Sequence, residues 1–149
     1  MSDTDRIEKQ VVLKAPRTRV WRALTDSGEF GKWFGMTLDG GFTVGRTVGG
    51  HITHQGTQVR VTFTPEKIEP ETRFSYRWHP FAMDPKVDYS GEPTTLVEFR
   101  LEEAPEGTLL TVVESGFDRI PKARRDEAFR MNDRGWTAEL KNIQRHVEG

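Results

Sequence analysis

The chain has 149 residues, the usual length of one domain, and we expect a single domain over residues 1–149. Its 22 basic and 23 acidic residues nearly cancel, so no strong field favours nucleic acid or an anionic membrane as a partner. The absence of cysteine excludes disulfides, a thiolate nucleophile and a cysteine metal site. A polar start over Met1–Arg6, and no apolar run near the roughly 20 residues of a membrane span, predict a soluble, cytoplasmic protein.

The N-terminal part of the chain predicts one strand followed by two short helices. Apolar residues two or four positions apart predict a strand over 7–14. Pro16 then introduces a helix that runs to about Thr25, because the missing N–H of a proline is not needed in the first helical turn. Asp26 and Glu29 have the spacing of a capping box, in which the aspartate accepts from backbone N–H groups and the glutamate reaches back. This box predicts the second helix.

Glycines are dense between residues 35 and 57, and they predict short strands joined by tight turns. A phosphate-binding loop is the sharper alternative, but no complete glycine-rich nucleotide motif lies between a strand and a helix. We therefore predict no nucleotide cofactor. Strands over 58–68 and 72–79 follow, because apolar and polar residues alternate in each of them.

The C-terminal half predicts a loop, a hairpin and one long helix. Three prolines and no sustained period over 80–93 predict an unusually long loop, which is typical of a lid or a binding segment. Strands over 94–102 and 108–117 form a hairpin across a turn rich in proline and glycine. From about 121 to 147 the period becomes helical, with an apolar stripe of Phe129, Trp136, Leu140, Ile143 and Val147.

This order of elements predicts an α+β fold. A curved antiparallel sheet of about six or seven strands would wrap around the long C-terminal helix, with the two short helices after the first strand. A single helix often leaves part of a concave sheet uncovered. The gap near the N-terminal half of the helix is then a natural ligand site.

Several segments spread over nearly the whole chain carry a family pattern: Ala15-Pro16 with Val20–Asp26 (VWRALTD), Lys32–Phe34 (KWF), Arg73–Trp78 (RFSYRW), Glu114–Phe117 (ESGF) and Gly135–Leu140 (GWTAEL), with Ile143 and Val147 on the same helix. Together they resemble the START-like (SRPBCC, Bet v I-like) helix-grip superfamily. Within it, the chain is similar to proteins like the activator of the ninety-kilodalton heat-shock protein ATPase. The resemblance implies a hydrophobic cavity between the sheet and the long helix. It also implies relatives that bind lipids, polyketides, aromatic metabolites or protein partners.

Aromatic side chains on the inward faces of their elements are the first candidates for a ligand cavity. Packing in the core explains any one of them, since aromatic stripes usually do no more. As a group they favour a ligand, because aromatic rings offer stacking surfaces and the indole N–H groups of tryptophan require partners. These candidates are Trp33, Phe34, Tyr76, Trp78, Phe99, Phe129 and Trp136.

Two polar residues complete the candidate site. Glu114 follows Leu110 and Val112 at a spacing of two, so it points into the covered face if those residues do. A buried carboxylate there would orient a ligand hydroxyl or act as a general base, whereas in the opposite phase it would form an ordinary salt bridge. Asn132 lies on the helix stripe and would offer polar contacts to a ligand, with capping or solvent exposure as the alternative.

The histidines do not predict a metal site. His51 and His54 lie three residues apart on a predicted strand and so point to opposite faces, and further ligands of suitable spacing are missing. His79 adjoins the long loop and would lie either at the cavity mouth or, as we favour, on the surface.

The sequence leaves three functions to compare. We predict a binding protein for a small hydrophobic or aromatic molecule, with no cofactor, because no complete catalytic motif occurs. The first alternative is an enzyme of the cyclase, dehydratase or hydrolase kind, with Glu114 or His79 as acid or base. The second is a co-chaperone that stimulates a chaperone ATPase, as the resemblance suggests. A protein partner or a homodimer remains open.

Overall fold

Seven antiparallel strands form one sheet in the part of the chain that the computed structural model describes, residues 5–149. The segment Met1–Thr4, part of the polar start that the sequence analysis used, lies outside the described residues. The strands are β1 (Arg6–Leu13), β2 (Met36–Leu38), β3 (Val48–His54), β4 (Thr57–Glu69), β5 (Arg73–Trp78), β6 (Thr95–Ala104) and β7 (Gly107–Ser115). The helices are α1 (Arg17–Thr25), α2 (Ser27–Phe34) and α3 (Lys122–Glu148), with a short 3₁₀ turn over Phe117–Arg119.

The strand order across the sheet is β1-β7-β6-β5-β4-β3-β2, and every neighbouring pair is antiparallel. Consecutive hairpins produce most of this order, and only β1 crosses over to pair with β7. The helix α3 packs on one face of the sheet and also contacts α1 and α2. The predicted α+β helix-grip fold is confirmed.

The strand β4 exceeds the predicted range of 58–68 by one residue at each end and continues through Pro65 to Glu69. The pairing register with β5 shifts between Pro65 and Lys67. A β-bulge of this kind accommodates a residue that cannot donate to the ladder, and it increases the local twist. The proline therefore bends the strand without ending it.

The buried stripe of α3 differs from the predicted one at its N-terminal end. Ala128 is fully buried, whereas Phe129 is only partly buried. Ala128, Asn132, Trp136 and Leu140 follow one another at intervals of four, which places them on one face of the helix. Phe129 lies beside this face, and its ring packs on Phe117 with 5.1 Å between the centroids.

Half of the predicted capping box at α2 is confirmed. The Asp26 side chain accepts from the backbone N–H of Glu29 at 3.1 Å. The prediction that Glu29 reaches back to the backbone of Asp26 is wrong, because the Glu29 carboxylate instead accepts from Arg19 at 2.6 Å and from Arg22 at 2.8 Å. It also lies 2.9 Å from His146 Nε2. One carboxylate thus joins α1, α2 and the C-terminal end of α3.

No helix within residues 5–149 has both the length and the apolar composition that crossing a bilayer requires.

Candidate functional site

A cavity of about 190 Å³ lies between the sheet and the middle of α3. Strands β3, β4 and β5, the end of α2 and the loop after β5 close its other sides. Most of its wall is apolar: Phe34, Met36, Ile52, Val61, Trp78, Phe81, Ala82, Met83, Met131, Gly135 and Trp136. The remaining lining residues are His54, His79, Asn132 and Glu139. An apolar wall with a few polar groups is the usual composition of a small-molecule site.

Three aromatic rings form a continuous part of the wall. Phe34 from α2 packs edge-on against Trp78 from β5 and Trp136 from α3, with centroids 5.9 and 6.1 Å away. The two indoles are 5.9 Å apart and tilted by 34°. These separations are within the range of favourable aromatic pairs. Each of three different elements therefore contributes one ring to a single surface.

Glu114 lies behind this wall and is fully buried. The inward phase of β7 is the one with Leu110, Val112 and Glu114, since the first two are also fully buried. On one oxygen the carboxylate accepts from Trp78 Nε1 at 2.7 Å and from Thr95 Oγ1 at 2.6 Å.

The other carboxylate oxygen of Glu114 binds α3. Trp136 Nε1 donates to it at 2.8 Å and Asn132 Nδ2 at 2.9 Å. Glu114 thus connects both indoles of the wall, and Asn132 beside them, to strand β7. A ligand in the cavity meets the donors of Glu114 before it meets the carboxylate.

The surroundings of Glu114 accommodate the ionised form. Burial raises the pKa of Glu114, and the hydrogen bonds from Thr95, Trp78, Trp136 and Asn132 oppose that rise. All four partners offer a hydrogen, and an indole N–H cannot accept one. A protonated carboxyl could bond its own hydrogen only if the Thr95 hydroxyl turned to accept it.

Glu139 is the acidic residue that lines the cavity itself. It lies on α3, one turn after Gly135, and accepts from Asn142 Nδ2 at 2.9 Å. Burial raises the pKa of Glu139 to about 7, against the effect of the Asn142 hydrogen bond. The cavity therefore contains a carboxyl group whose protonation changes near neutral pH.

The loop between β5 and β6 covers one side of the cavity and is fastened to the first turn of α3. Arg124 donates from Nε to Glu92 at 2.8 Å and from Nη1 to the carbonyl oxygen of Pro80 at 2.8 Å. Its guanidinium also lies over the Tyr89 ring, 4.8 Å from the centroid. A polar groove of about 500 Å³ shares Phe81 with the cavity and continues beside Arg124.

Four of the predicted site residues line the cavity: Phe34, Trp78, Asn132 and Trp136. The others occupy positions around it. Glu114 supports the wall from behind, as described above. Tyr76 is fully buried, and its hydroxyl finds no hydrogen-bond partner among residues 5–149. Burial, together with the charges of Glu114 and Glu139, raises the pKa of Tyr76 well above its ordinary value.

Three predicted aromatic residues belong to the core. Trp33 donates its indole N–H to the carbonyl oxygen of Ala23 at 2.8 Å, which satisfies it away from the cavity. Phe99 is 1% exposed and packs behind Trp136, 5.7 Å from that ring. Phe129 packs on Phe117, as described above. These three side chains pack around the cavity and do not line it.

His79 lies at the cavity and not on the surface, where we had favoured it. His79 lines the cavity and donates from Nε2 to the carbonyl oxygen of Glu92 at 3.1 Å. His54 also lines the cavity and meets Phe81 edge-on at 5.6 Å, whereas His51 is exposed. Within the described part of the chain, no three histidine, aspartate or glutamate residues are grouped as metal ligands would be.

Five further lining residues are not among the candidates predicted from the sequence: Glu139, the three methionines Met36, Met83 and Met131, and Phe81. One feature of the sequence could have indicated that Glu139 lies at the cavity. Residues 131, 135 and 139 form an i, i+4 row directly beside the buried row that contains Trp136. No sequence pattern indicates the position of Phe81, because its backbone is left-handed, with a φ of 48°, inside an irregular loop.

The fold and the cavity between sheet and long helix define a helix-grip protein. The family model described as "Activator of Hsp90 ATPase homolog 1-like protein" matches residues 14–148, nearly the whole chain. The protein belongs to this family, as the resemblance of its sequence implied. Comparison with curated proteins gives no match.

Solved structures with the same fold are numerous. Protein CV1439 from Chromobacterium violaceum is 23% identical, with a TM-score of 0.76 over 97% of this chain and 98% of that one. Protein MLL2253 from Mesorhizobium loti is 22% identical, with a TM-score of 0.74 over 96% of each chain. DynU16, from the dynemicin biosynthetic locus, is 25% identical, with a TM-score of 0.73 over 97% of this chain and 47% of its own length. This chain therefore spans about half of DynU16.

Proposed function

We propose that this protein binds a small aromatic or hydrophobic molecule in the cavity between the sheet and α3. The observation that carries the proposal is the wall of Phe34, Trp78 and Trp136 around about 190 Å³ of space. Apolar ligands gain from leaving water, and flat rings gain further from stacking on aromatic side chains. A cytoplasmic location, as predicted from the sequence, belongs to the same proposal.

The volume limits the size of the ligand. An apolar protein cavity of about 150 Å³ accommodates one benzene molecule. The cavity of about 190 Å³ therefore suits a body of one ring with small substituents. Longer molecules would extend past Phe81 into the adjoining groove, which is polar and lined by Arg124 and Glu127. A ligand with an apolar head and a polar tail fits both spaces.

Gly135 offers a way to test the proposal without disturbing the core. It lines the cavity from α3, and a Cβ added there would meet no heavy atom within 4 Å. In Gly135→Leu the four added carbon atoms occupy roughly 100 Å³, at about 30 Å³ for each water-sized group. That is about half of the cavity. Gly135→Ala is the matched control, because it has the same gain in helix propensity but adds only one carbon.

The experiment compares ligand capture by the wild type and both variants. Native mass spectra of protein purified from its own host are recorded with denatured spectra, and a panel of phenols, flavonoids and lipids is titrated by tryptophan fluorescence. We expect saturable binding by the wild type and Gly135→Ala, and a loss of at least tenfold in Gly135→Leu. Binding that is unaffected in Gly135→Leu would place the ligand elsewhere. No saturable binding to any member of the panel would end the proposal.

An enzyme that uses the same cavity is the second candidate. Glu114 is a poor general base, because both of its oxygens already accept hydrogen bonds and it lies behind the wall. Glu139 is better placed, since it lines the cavity and burial raises its pKa to about 7, near the optimum for proton transfer in neutral solution. Proton exchange next to the carbonyl of aryl ketones, followed by NMR, tests this candidate. Equal exchange rates in wild type and Glu139→Gln would refute it.

Stimulation of a chaperone ATPase and formation of a homodimer stay predictions. The first is tested by adding the protein to the ATPase of the chaperone from the same host. The second is tested by light scattering.

A further inference from the structure

Acidic side chains lie in and behind the wall of the cavity. Glu139 lies in the wall, and Glu114 lies directly behind Trp78 and Trp136. The residues that line the cavity include neither lysine nor arginine. Arg124 lies outside, in the adjoining groove, where Nε and Nη1 donate to Glu92 and Pro80 and Nη2 has no hydrogen-bond partner among residues 5–149. The electrostatic potential inside the cavity is therefore negative when both carboxyl groups are ionised.

The two indoles add to this potential. Each donates its N–H to the Glu114 carboxylate, at 2.7 Å for Trp78 and 2.8 Å for Trp136. Hydrogen bonds to an anion polarise the donor, so that electron density shifts towards the ring. The face of an indole is already the best cation–π surface among the side chains. Both indole side chains, each hydrogen-bonded to the same carboxylate, line one cavity.

The negative potential of the cavity would disfavour an anionic ligand. Inside the cavity its carboxylate or phosphate would lose water without gaining a lysine or arginine partner, and it would face the like charge of Glu139. A cation on an aromatic body would instead pair with Glu139 while its ring contacts the aromatic wall. Burial of a charge is favourable only when it is paired in this way.

We propose that the cavity selects an organic cation, an ammonium group attached to a compact aromatic or apolar body, with Glu139 as its counter-ion. This inference rests on the proposed binding function, and it names the ligand class of the same site. The raised pKa of Glu139 is consistent with it, since a carboxyl without a cation nearby resists ionisation.

The pH dependence of binding has several contributors besides Glu139. His54 from β3 and His79 from the β5–β6 loop line the same cavity, and each repels a cation when protonated. Tyr76 from β5 and Glu114 from β7 complete the ionisable groups whose charges act with that of Glu139. A change of pH therefore cannot identify the counter-ion. Substitution of Glu139 at fixed pH can.

The test uses three one-ring ligands of nearly equal size and different charge: benzylamine, benzyl alcohol and benzoate. Each is titrated at about pH 8, above the pKa of Glu139, and binding is followed by the indole N–H resonances of Trp78 and Trp136. We expect the amine to bind at least tenfold more tightly than the alcohol, and benzoate more weakly still. In Glu139→Gln we expect the amine to lose most of this advantage, with the affinity for the alcohol changed by less than about twofold.

The outcomes separate this inference from the binding function. If the alcohol or benzoate binds as tightly as the amine, the inference is overturned while the cavity still binds ligands. If the preference for the amine survives in Glu139→Gln, Glu139 is not the counter-ion. If none of the three binds, even at millimolar concentration, the proposed binding of one-ring ligands fails as well. Equal thermal unfolding midpoints of the free proteins below about pH 4.5, where Glu139 is protonated in the folded and the unfolded wild type, confirm that the variant is folded.

Discussion

Replacement of Glu114 by glutamine removes one charge and turns one hydrogen-bond acceptor into a donor. The carboxylate accepts from Trp78 and Thr95 on one oxygen and from Trp136 and Asn132 on the other. A glutamine has a single acceptor oxygen, so one of the two indole N–H groups faces an amide NH₂. The threonine hydroxyl can rotate to accept from that NH₂. We therefore expect the amide nitrogen on the Thr95 side, with the Trp78 N–H left unpaired.

These contacts set the size of the destabilisation that we expect for Glu114→Gln. A buried donor without a partner costs about 1–3 kcal/mol. The hydrogen bonds that remain lose the assistance of the charge, which weakens them by about half. Removal of a buried charge offsets part of this loss. We expect Glu114→Gln to lower the free energy of unfolding by about 2–4 kcal/mol, a large part of the roughly 5–15 kcal/mol that such a domain has.

Urea unfolding followed by circular dichroism measures this change. Glu102→Gln is the control, because Glu102 is exposed on the neighbouring strand and its replacement should change stability by less than about 0.5 kcal/mol. In the variant the indole N–H of Trp78 should also lose protection from hydrogen exchange. A destabilisation below about 1 kcal/mol would refute the reasoning, since it would mean that Glu114 is already neutral in the folded protein.

Three further substitutions test the charges and the loop. Glu139→Gln should stabilise the protein by about 1–2 kcal/mol at about pH 8, because burial raises the folded pKa of Glu139 to about 7 and stability is lost as the pH rises towards and through that value. Below about pH 4.5 the two proteins should unfold alike in thermal scans. Glu29→Gln should lower the free energy of unfolding by about 1–2 kcal/mol at neutral pH. Burial raises the pKa of Glu29, but the hydrogen bonds from His146, Arg19 and Arg22 outweigh this effect and lower the folded pKa to about 2. That contribution is complete above the unfolded pKa and disappears as the pH falls towards 2, so equal acid unfolding curves would contradict it. Arg124→Met should raise amide hydrogen exchange over residues 80–93 and leave α2 unchanged, whereas unchanged exchange in the loop would show that Arg124 does not fasten it.

The sequence predicts the fold well because two periodicities separate cleanly. Alternation identifies β4 to β7, and the intervals of three and four identify α3. The phase of β7 stayed open in the sequence, because Leu109 and Val113 alternate with Leu110 and Val112. Burial in the structure decides it, since Leu110, Val112 and Glu114 are fully buried. Phe129 could not be placed, because its spacing of seven from Trp136 and the spacing of eight from Ala128 fit a helical face about equally well.

Periodicity gives the face of a residue but not its depth along the element. Tyr76 and Trp78 share one face of β5, yet only Trp78 lines the cavity, because the space lies towards the end of that strand. The side of the cavity formed by the β5–β6 loop depends on irregular backbone around Phe81, which no local pattern encodes. Glu139 was overlooked for a related reason, since a charged residue beside an apolar helix stripe is usually solvated.

The position of Glu114 restricts how this cavity can be remodelled. One acceptor on β7 binds an indole from β5, a hydroxyl from β6 and two side chains from α3, so separation of the helix from the sheet would stretch several bonds at once. Space for a larger ligand must come instead from the flexible side chains of Met36, Met83 and Met131. A library that varies these three methionines and preserves Glu114 should diversify ligand preference while the scaffold persists. The same division would let related sequences acquire different ligands by drift at the methionine positions.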